Sequence, residues 1–566
     1  MTMNNLKLIL FIALPLSLAA QGLDPRSLTK PLSDEWPTYS GDYTGKRYSL
    51  LKQIDRSNVK NLSLAWTSRV TPGAGTQGPG GGRGGFGGGG GAPTIVGGEG
   101  TGEVGGGGFG GGSSIRASIL AVDGILYLSM PDNAWAVDGR DGRTLWHYYW
   151  KTKGGTHIGN RGLGMWNNRL YMETPDDFLV CLDAKTGKEL WHKPMADFSL
   201  QYFSTMSPIV IGNHIIVGTG NDLDEPGYVQ SRDPETGEVQ WTFNTVPMNK
   251  GDAGLETWGS LDGARHGAGN VWIPGVYDQD TKLYIFGTGN PSPAYTNPKS
   301  RDGDNLYTCS IVAINIDTGK MAWYYQLNPH DTHDWDSTET PIMVDGDFKG
   351  KQRKMVVHAD RNGYFYVLDR LTGEHLLTSK FSSTVNWVKE INAKGQTIRD
   401  PKKDSIVAGA LVSPNNAGAT NWPPAAYSPD TGLFYAPTSD TYAMYYLTET
   451  DPRGAMGLGG KDEQQLASLG THLTAIDYKT GKIAWQHTYP GTGGFGAGNG
   501  ILATAGKLVF AGDQSGNFIA FDAGNGKILW HARIGNVSNA PQTYLLDGKQ
   551  HVLVAAGDAL FDFYLQ

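Results

Sequence analysis

The stretch NPHDTHDWDSTETP (residues 328–341) sets Asp331, Asp334 and Asp336 beside His330 and His333, a dense group of side chains able to bind a cation or move a proton. Other segments place polar residues at the ends of apolar runs. GTGNPSP (287–293) carries Asn290 after YIFGTG, and HADRNGYFYVLDR (358–370) puts Arg361 in a turn ahead of a strand. ATNWPP (419–424) contributes Asn421, while GNRGLG surrounds Arg161 and VGTGND ends at Asp222. Carboxylate and amide oxygens are hard ligands that suit Ca²⁺, which accepts several of them in irregular geometry. The same residue types also cap turns through their own backbone, so spacing alone leaves both readings open. For His330 and His333 no spacing completes a tetrahedral zinc set, and they read as loop histidines bonded to neighbours.

These residues need a scaffold, and the sequence supplies one by repetition. The phrase small-x-Asp-x-x-Thr-Gly-x-x-x-Trp returns as CLDAKTGKELW (181–191), SRDPETGEVQW (231–241), AINIDTGKMAW (313–323) and AIDYKTGKIAW (475–485), with weaker copies at 136–146, 367–377 and 520–530. Each phrase reads as a strand end, a tight turn and a second strand ending in Trp. Asp or Asn and Thr bond the local backbone, and Gly supplies positive φ. Spacings of 45 residues (Trp146 to Trp191, Trp485 to Trp530) suit a four-stranded propeller blade. YSPDTGLFYA (427–436) reads as a degenerate eighth copy, and LSLAW ending at Trp66 as the strand that closes the ring. The expectation is an all-β, eight-bladed propeller of antiparallel four-stranded blades, because closure protects the edges that an open stack leaves exposed.

Composition agrees with one repeat domain. The 566 residues include 80 Gly, 16 Trp and 26 Tyr, as many short strands and aromatic packing between them require. A formal net charge of −8 gives no case for nucleic acid. The start, MTMNNLKLILFIALPLSLAAQ, reads as a signal peptide over residues 1–20, since its apolar run is too short for a membrane anchor. The expectation is a periplasmic protein without a stable membrane span. Residues 21–72 form a segment entering the propeller, which occupies 113–566. Residues 73–112 are dominated by glycine around the apolar island APTIV and read as a flexible insertion. Two cysteines, Cys181 and Cys309, are expected as buried thiols in separate blades, and without Cys-x-x-Cys-His this chain holds no covalent haem.

At GTGNP, PHDTHDWD, DRNG, the repeat phrases and the opening DEWPTYSGDYTGKRYSLLKQIDRSNVKNLSLAWT, the chain resembles the quinoprotein alcohol dehydrogenases that depend on pyrroloquinoline quinone (PQQ). The resemblance runs from about residue 33 to the C-terminus. It implies a central funnel holding PQQ and Ca²⁺, an alcohol or polyol as substrate, and a separate electron acceptor such as a cytochrome c or a quinone. It makes Asp336 the catalytic base, and Asp222, Asn290 and Asp336 the metal ligands. Trp272 becomes the floor beneath the cofactor, and Arg361 a contact to the quinone oxygens. Arg161, Thr205, Thr219, Gly220 and Asn421 fall at further cofactor-contact positions.

The chain also departs from that pattern. Gly155-Thr156 stands where many relatives have a vicinal Cys pair, the blade-one Glu has no match around Ile115-Arg116, and Gly498 occupies a late Trp position. Thr338 stands where the lanthanide-dependent branch has an extra Asp, which favours Ca²⁺ over a lanthanide. The alternative reading is a non-catalytic propeller that binds partners in the envelope. A pure scaffold has no need to keep Asn290, Asp336, Arg361 and Trp272 together.

Overall fold

The computed structural model describes residues 22–70, 95–97, 114–152, 154, 158–220, 224–295, 301–447, 461–491 and 499–566. The expected signal peptide therefore lies outside the described residues, as does most of the glycine-rich stretch. Its island forms a strand, Ile95–Gly97, parallel to the outer strand Thr144–Tyr149.

Eight sheets of four or five strands build the propeller, alongside one two-stranded ribbon, Val388–Ile391 with Thr397–Arg399. Counted by their innermost strands, the blades begin at Leu120–Val122, Gly164–Trp166, Ile209–Ile211, Val276–Asp278, Ile342–Phe348, Ala426–Ser428, Leu502–Thr504 and Gln542–Leu546. Inner strands such as Leu283–Gly287 are buried along their whole length, because each is sandwiched between two neighbouring blades. Outer strands such as Val239–Asn244 alternate between exposed and half-buried positions. That is why the inner strands read as continuous apolar runs and the outer ones do not.

The repeat phrase has a physical explanation in every position. Its small first residue lies opposite the Trp across the strand pair, as in Ala313↔Trp323 and Ala475↔Trp485. A register shift follows that residue in the copies at 181, 231, 313 and 475 alike, turning the strand end into the tight turn. In the turn at 183–187, Asp183 accepts from the Thr186 backbone N–H (2.8 Å) and hydroxyl (2.7 Å). The indole N–H then docks on the next blade: Trp146 donates to Ala184 O (2.9 Å), Trp241 to Ile316 O (2.8 Å) and Trp323 to Arg370 O (3.1 Å). The phrase glycine of that next blade sits flat against the same indole. At Gly319, φ is +67° and a Cβ would lie 2.7 Å from the Trp241 ring. Gly319→Ala is expected to destabilise the fold by about 2–4 kcal/mol, since it adds left-handed strain to an overpacked contact. Urea denaturation checks this, and an unchanged midpoint would remove the docking argument.

The eighth blade closes the ring with the strand expected to do so, while the copy read at 427–436 is not a phrase of its own blade. That turn joins the first two strands of the sixth blade, whose true phrase is 475–485, so it adds no blade. The last blade pairs the three C-terminal strands with Leu62–Arg69, antiparallel to Ala559–Leu565. Trp66 takes the docking role there and donates to Gly139 O of the first blade (2.9 Å). Cys181 and Cys309 are buried free thiols in the second and fourth blades, as expected.

The segment before Leu62 does more than lead in. Within residues 34–47 it bonds the innermost strands of seven blades in ring order. Asp34 meets Leu545, Trp36 meets Ala121, Tyr43 meets Val210 and Tyr277, Thr44 meets Met343, Lys46 meets Tyr427 and Arg47 meets Ala503. So short a segment reaches seven blades only by running round the ring close to its axis. Arg47, at the end of this segment, is fully buried and donates to the carbonyls of Tyr39 (2.9 Å), Ile501 (2.9 Å) and Pro541 (2.7 Å).

Candidate active site

In a four-stranded antiparallel blade, the loop entering the first strand and the turn after the second strand lie at the same end. Arg161, Thr205, Trp272, Asp336 and Asn421 come from entry loops; Gly220, Asn290 and Arg361 follow second strands. All except Asn290 line one cavity of about 690 Å³. Asn290 and Thr219 are buried behind its wall. Asp222 lies outside the described residues, as do Gly155, Thr156 and Gly498.

Asp336 is the most tightly held group in this cavity. One oxygen accepts the Asn290 backbone N–H (2.7 Å); the other accepts the Trp272 indole N–H (3.1 Å) and pairs with the Arg361 guanidinium (3.0 Å). Two glycines of GTGN make that approach feasible. A Cβ on Gly287 would lie 1.7 Å from Ser337 O, and one on Gly289 would lie 2.7 Å from an Asp336 oxygen. The acidic loop is braced by Asp331, whose carboxylate accepts from the backbone N–H of His333 (3.2 Å), Asp334 (2.9 Å) and Trp335 (3.1 Å). Burial pushes the Asp331 carboxyl up to about 7. Trp335 is buried, stacks on His333 at 4.2 Å and donates to Asn415 O (2.8 Å). His330 and His333 each use a ring nitrogen on a backbone carbonyl, of Gly303 (2.5 Å) and Lys403 (2.7 Å). Burial pulls His330 down to about 4, so it is a neutral loop histidine.

Charge around Asp336 is arranged by arginines. Arg361 also donates to Asp334 O (3.1 Å), and its Nε lies 3.5 Å from a Glu339 oxygen. Burial holds the Glu339 carboxyl well above the usual carboxylate range, with Arg361 opposing and Asp360 and Asp336 adding to the shift. Arg161 lies over Trp272 at 4.4 Å and near Trp422 at 5.2 Å. Its Nε, Thr205 Oγ1 and Thr219 Oγ1 are buried without hydrogen-bond partners. Burial pulls Arg161 down to about 9, with the positive charges of Arg116 and Arg361 contributing. Buried donors of this kind call for an acceptor.

Sequence reasoning did not single out two residues that the structure places here, Arg116 in the cavity wall and Glu339 beside Arg361. Glu339 lies within the STET run (337–340), three residues before the apolar strand that starts at Ile342, a charged residue on the approach to an innermost strand. No comparable signal marks Arg116.

Residues 36–380 and 382–552 match the PQQ glucose/ethanol/alcohol dehydrogenase β-propeller domain. The quinohemoprotein alcohol dehydrogenase ADH IIB of Pseudomonas putida is 33% identical over 586 residues, covering 97% of this chain and 77% of its own. Among solved structures, the quinohemoprotein alcohol dehydrogenase of Comamonas testosteroni superposes with a TM-score of 0.80 at 28% identity, covering 96% of this chain and 82% of its own. A europium-containing methanol dehydrogenase gives 0.76 at 26%, covering 95% and 99%. With its phrase-built ring and Asp336 fixed between Trp272 and Arg361, the chain belongs to the PQQ-dependent quinoprotein alcohol dehydrogenases.

Proposed function

We propose that this protein is an exported, periplasmic dehydrogenase that uses PQQ and Ca²⁺ to oxidise an alcohol or polyol and passes the electrons to a separate acceptor. The observation that carries the reading is the setting of Asp336, a buried carboxylate in an open cavity with both oxygens oriented by donors. The cavity suits an aromatic polycarboxylate: two indoles, three guanidinium groups and partnerless buried donors face or flank a space of about 690 Å³. When bound, PQQ supplies the two-electron acceptor, and Ca²⁺ makes its carbonyl a stronger one.

The remaining work falls to the chain. Asp336 takes the hydroxyl proton of the substrate onto a carboxylate oxygen. Its bonds from Asn290 and Trp272 fix the direction of that oxygen before substrate arrives. Asn290, Trp272 and Arg361 take three of the four lone-pair sites of Asp336, so one is open, and holding the cation as well, with Asn290 and Asp222 as its companions, would require Arg361 to turn from Asp336 to the cofactor. Arg361 is a fixed positive fork that stabilises charge developing beside it. Trp272 and Trp422 form apolar walls of the cavity. Thr338 is buried with a hydroxyl that has no hydrogen-bond partner, offering a neutral group rather than a further carboxylate, which supports a divalent ion.

The test is reconstitution with PQQ and Ca²⁺, or with PQQ and La³⁺, followed by reduction of an artificial acceptor in the presence of alcohols. Turnover should appear with Ca²⁺ and alcohol together. If neither ion supports PQQ binding by calorimetry, the dehydrogenase reading fails. If only La³⁺ does, the calcium assignment fails.

A further inference from the structure

Three arginines, Arg116, Arg161 and Arg361, line the cavity with two aspartates, Asp334 and Asp336. Arg361 is committed to Asp336 at 3.0 Å. Among the described residues, neither Arg116 nor Arg161 lies in an ion pair with any carboxylate. The two sit on neighbouring segments joined by the bond from Ser118 N to Arg161 O (2.9 Å) and the Ser118↔Gly162 bridge. Arg116 is oriented rather than loose: one Nη donates to Ile158 O (2.7 Å), and its stem lies against Gly159, where a Cβ would come within 3.3 Å of its Cδ. One of its five N–H groups is used in that bond, which leaves a guanidinium face available. Beside it, Arg161 is only 4% exposed and its Nε has no partner.

Two like charges held this way repel, and burial pulls both below the usual arginine range. Such an arrangement is favourable when an anion enters between them and restores the missing charge. A carboxylate matches the planar fork of each guanidinium.

Building on the dehydrogenase reading, we infer that Arg116 is a carboxylate-binding residue of the cavity, acting beside Arg161. The carboxylate belongs either to the cofactor or to an acidic alcohol substrate, and the two sources are separable. Arg116→Gln keeps polarity but removes the charge, and Arg116→Lys keeps the charge but removes the fork. Three measurements are made on the full chain: PQQ affinity at saturating Ca²⁺, affinity for trimellitate as a redox-inert aromatic tricarboxylate, and the kcat/KM ratio for glycerate over glycerol. Quenching of tryptophan fluorescence reads the first two, and thermal denaturation confirms that the variants fold.

If the cofactor supplies the carboxylate, Arg116→Gln should weaken PQQ and trimellitate by roughly ten- to a hundredfold, with Arg116→Lys between. If the substrate supplies it, PQQ affinity holds while the glycerate-to-glycerol ratio falls by a similar factor. Should wild-type protein fail to bind PQQ yet bind trimellitate in an Arg116-dependent way, the dehydrogenase reading falls and the anchor stands. The anchor is overturned if Arg116→Gln leaves all three readouts unchanged, or if wild-type protein binds neither polycarboxylate.

Discussion

Asp336→Asn should lower alcohol turnover of the reconstituted protein by on the order of a thousandfold, while the ring stays folded. Asparagine keeps the volume, so the effect isolates the carboxylate. Whichever way the amide turns, its NH₂ faces a donor: the Asn290 N–H now at 2.7 Å from one oxygen, or the Trp272 indole and Arg361 at the other. The variant therefore loses the proton acceptor and the fixed direction together, and leaves Arg361 without its counter-charge. Asp336→Glu should not rescue, because Gly289 packs so closely that even a Cβ would lie 2.7 Å from the present oxygen. Turnover with an artificial acceptor is the readout, with thermal denaturation as the control for folding. A variant that retains a tenth of wild-type activity would remove Asp336 from the role of base.

Stability should respond most to Arg47. Its guanidinium reaches carbonyls on three separate segments, Tyr39 in its own segment, Ile501 before the seventh blade and Pro541 before the eighth. Trp36 covers it at 4.8 Å. Burial pulls Arg47 down to about 10, so it remains charged at neutral pH and its three bonds are charge-assisted. Arg47→Met fills most of the space but leaves three buried carbonyls without donors, which costs about 3 kcal/mol or more. Arg47→Lys should fall between, since an ammonium on one stem cannot span three segments as a planar fork does. Urea denaturation measures both variants. If the methionine variant keeps the wild-type midpoint, the Arg47 bonds are not what secures the seventh and eighth blades to this segment.

Much of the scaffold was legible because its contacts repeat. Each phrase position answers to one local demand: a small residue opposite an indole, a turn carboxylate, a glycine under the previous blade's Trp. The misplaced copy at 427–436 shows where that logic ends. An Asp-Thr-Gly turn between first and second strands has the same local chemistry as one between third and fourth, and no indole follows it. Its neighbours in space, not its residues, tell the two apart. Arg116 escaped notice for a related reason, as an arginine in an otherwise apolar run reads as a surface residue until the next segment is laid beside it.

The sequence by itself determined the blade, its repetition, the strand that closes the ring and the segments that carry polar groups to one end of it. These follow from turn chemistry and apolar patterning, which act over a few residues. Only the tertiary structure decided that Asn290, Trp272 and Arg361 converge on Asp336, that Arg116 stands beside Arg161 with no carboxylate ion-paired to either among the described residues, and that residues 34–47 run round the inner edges of seven blades. Those contacts join residues from different blades, and closure of the ring, which no local pattern encodes, is what brings them within bonding distance.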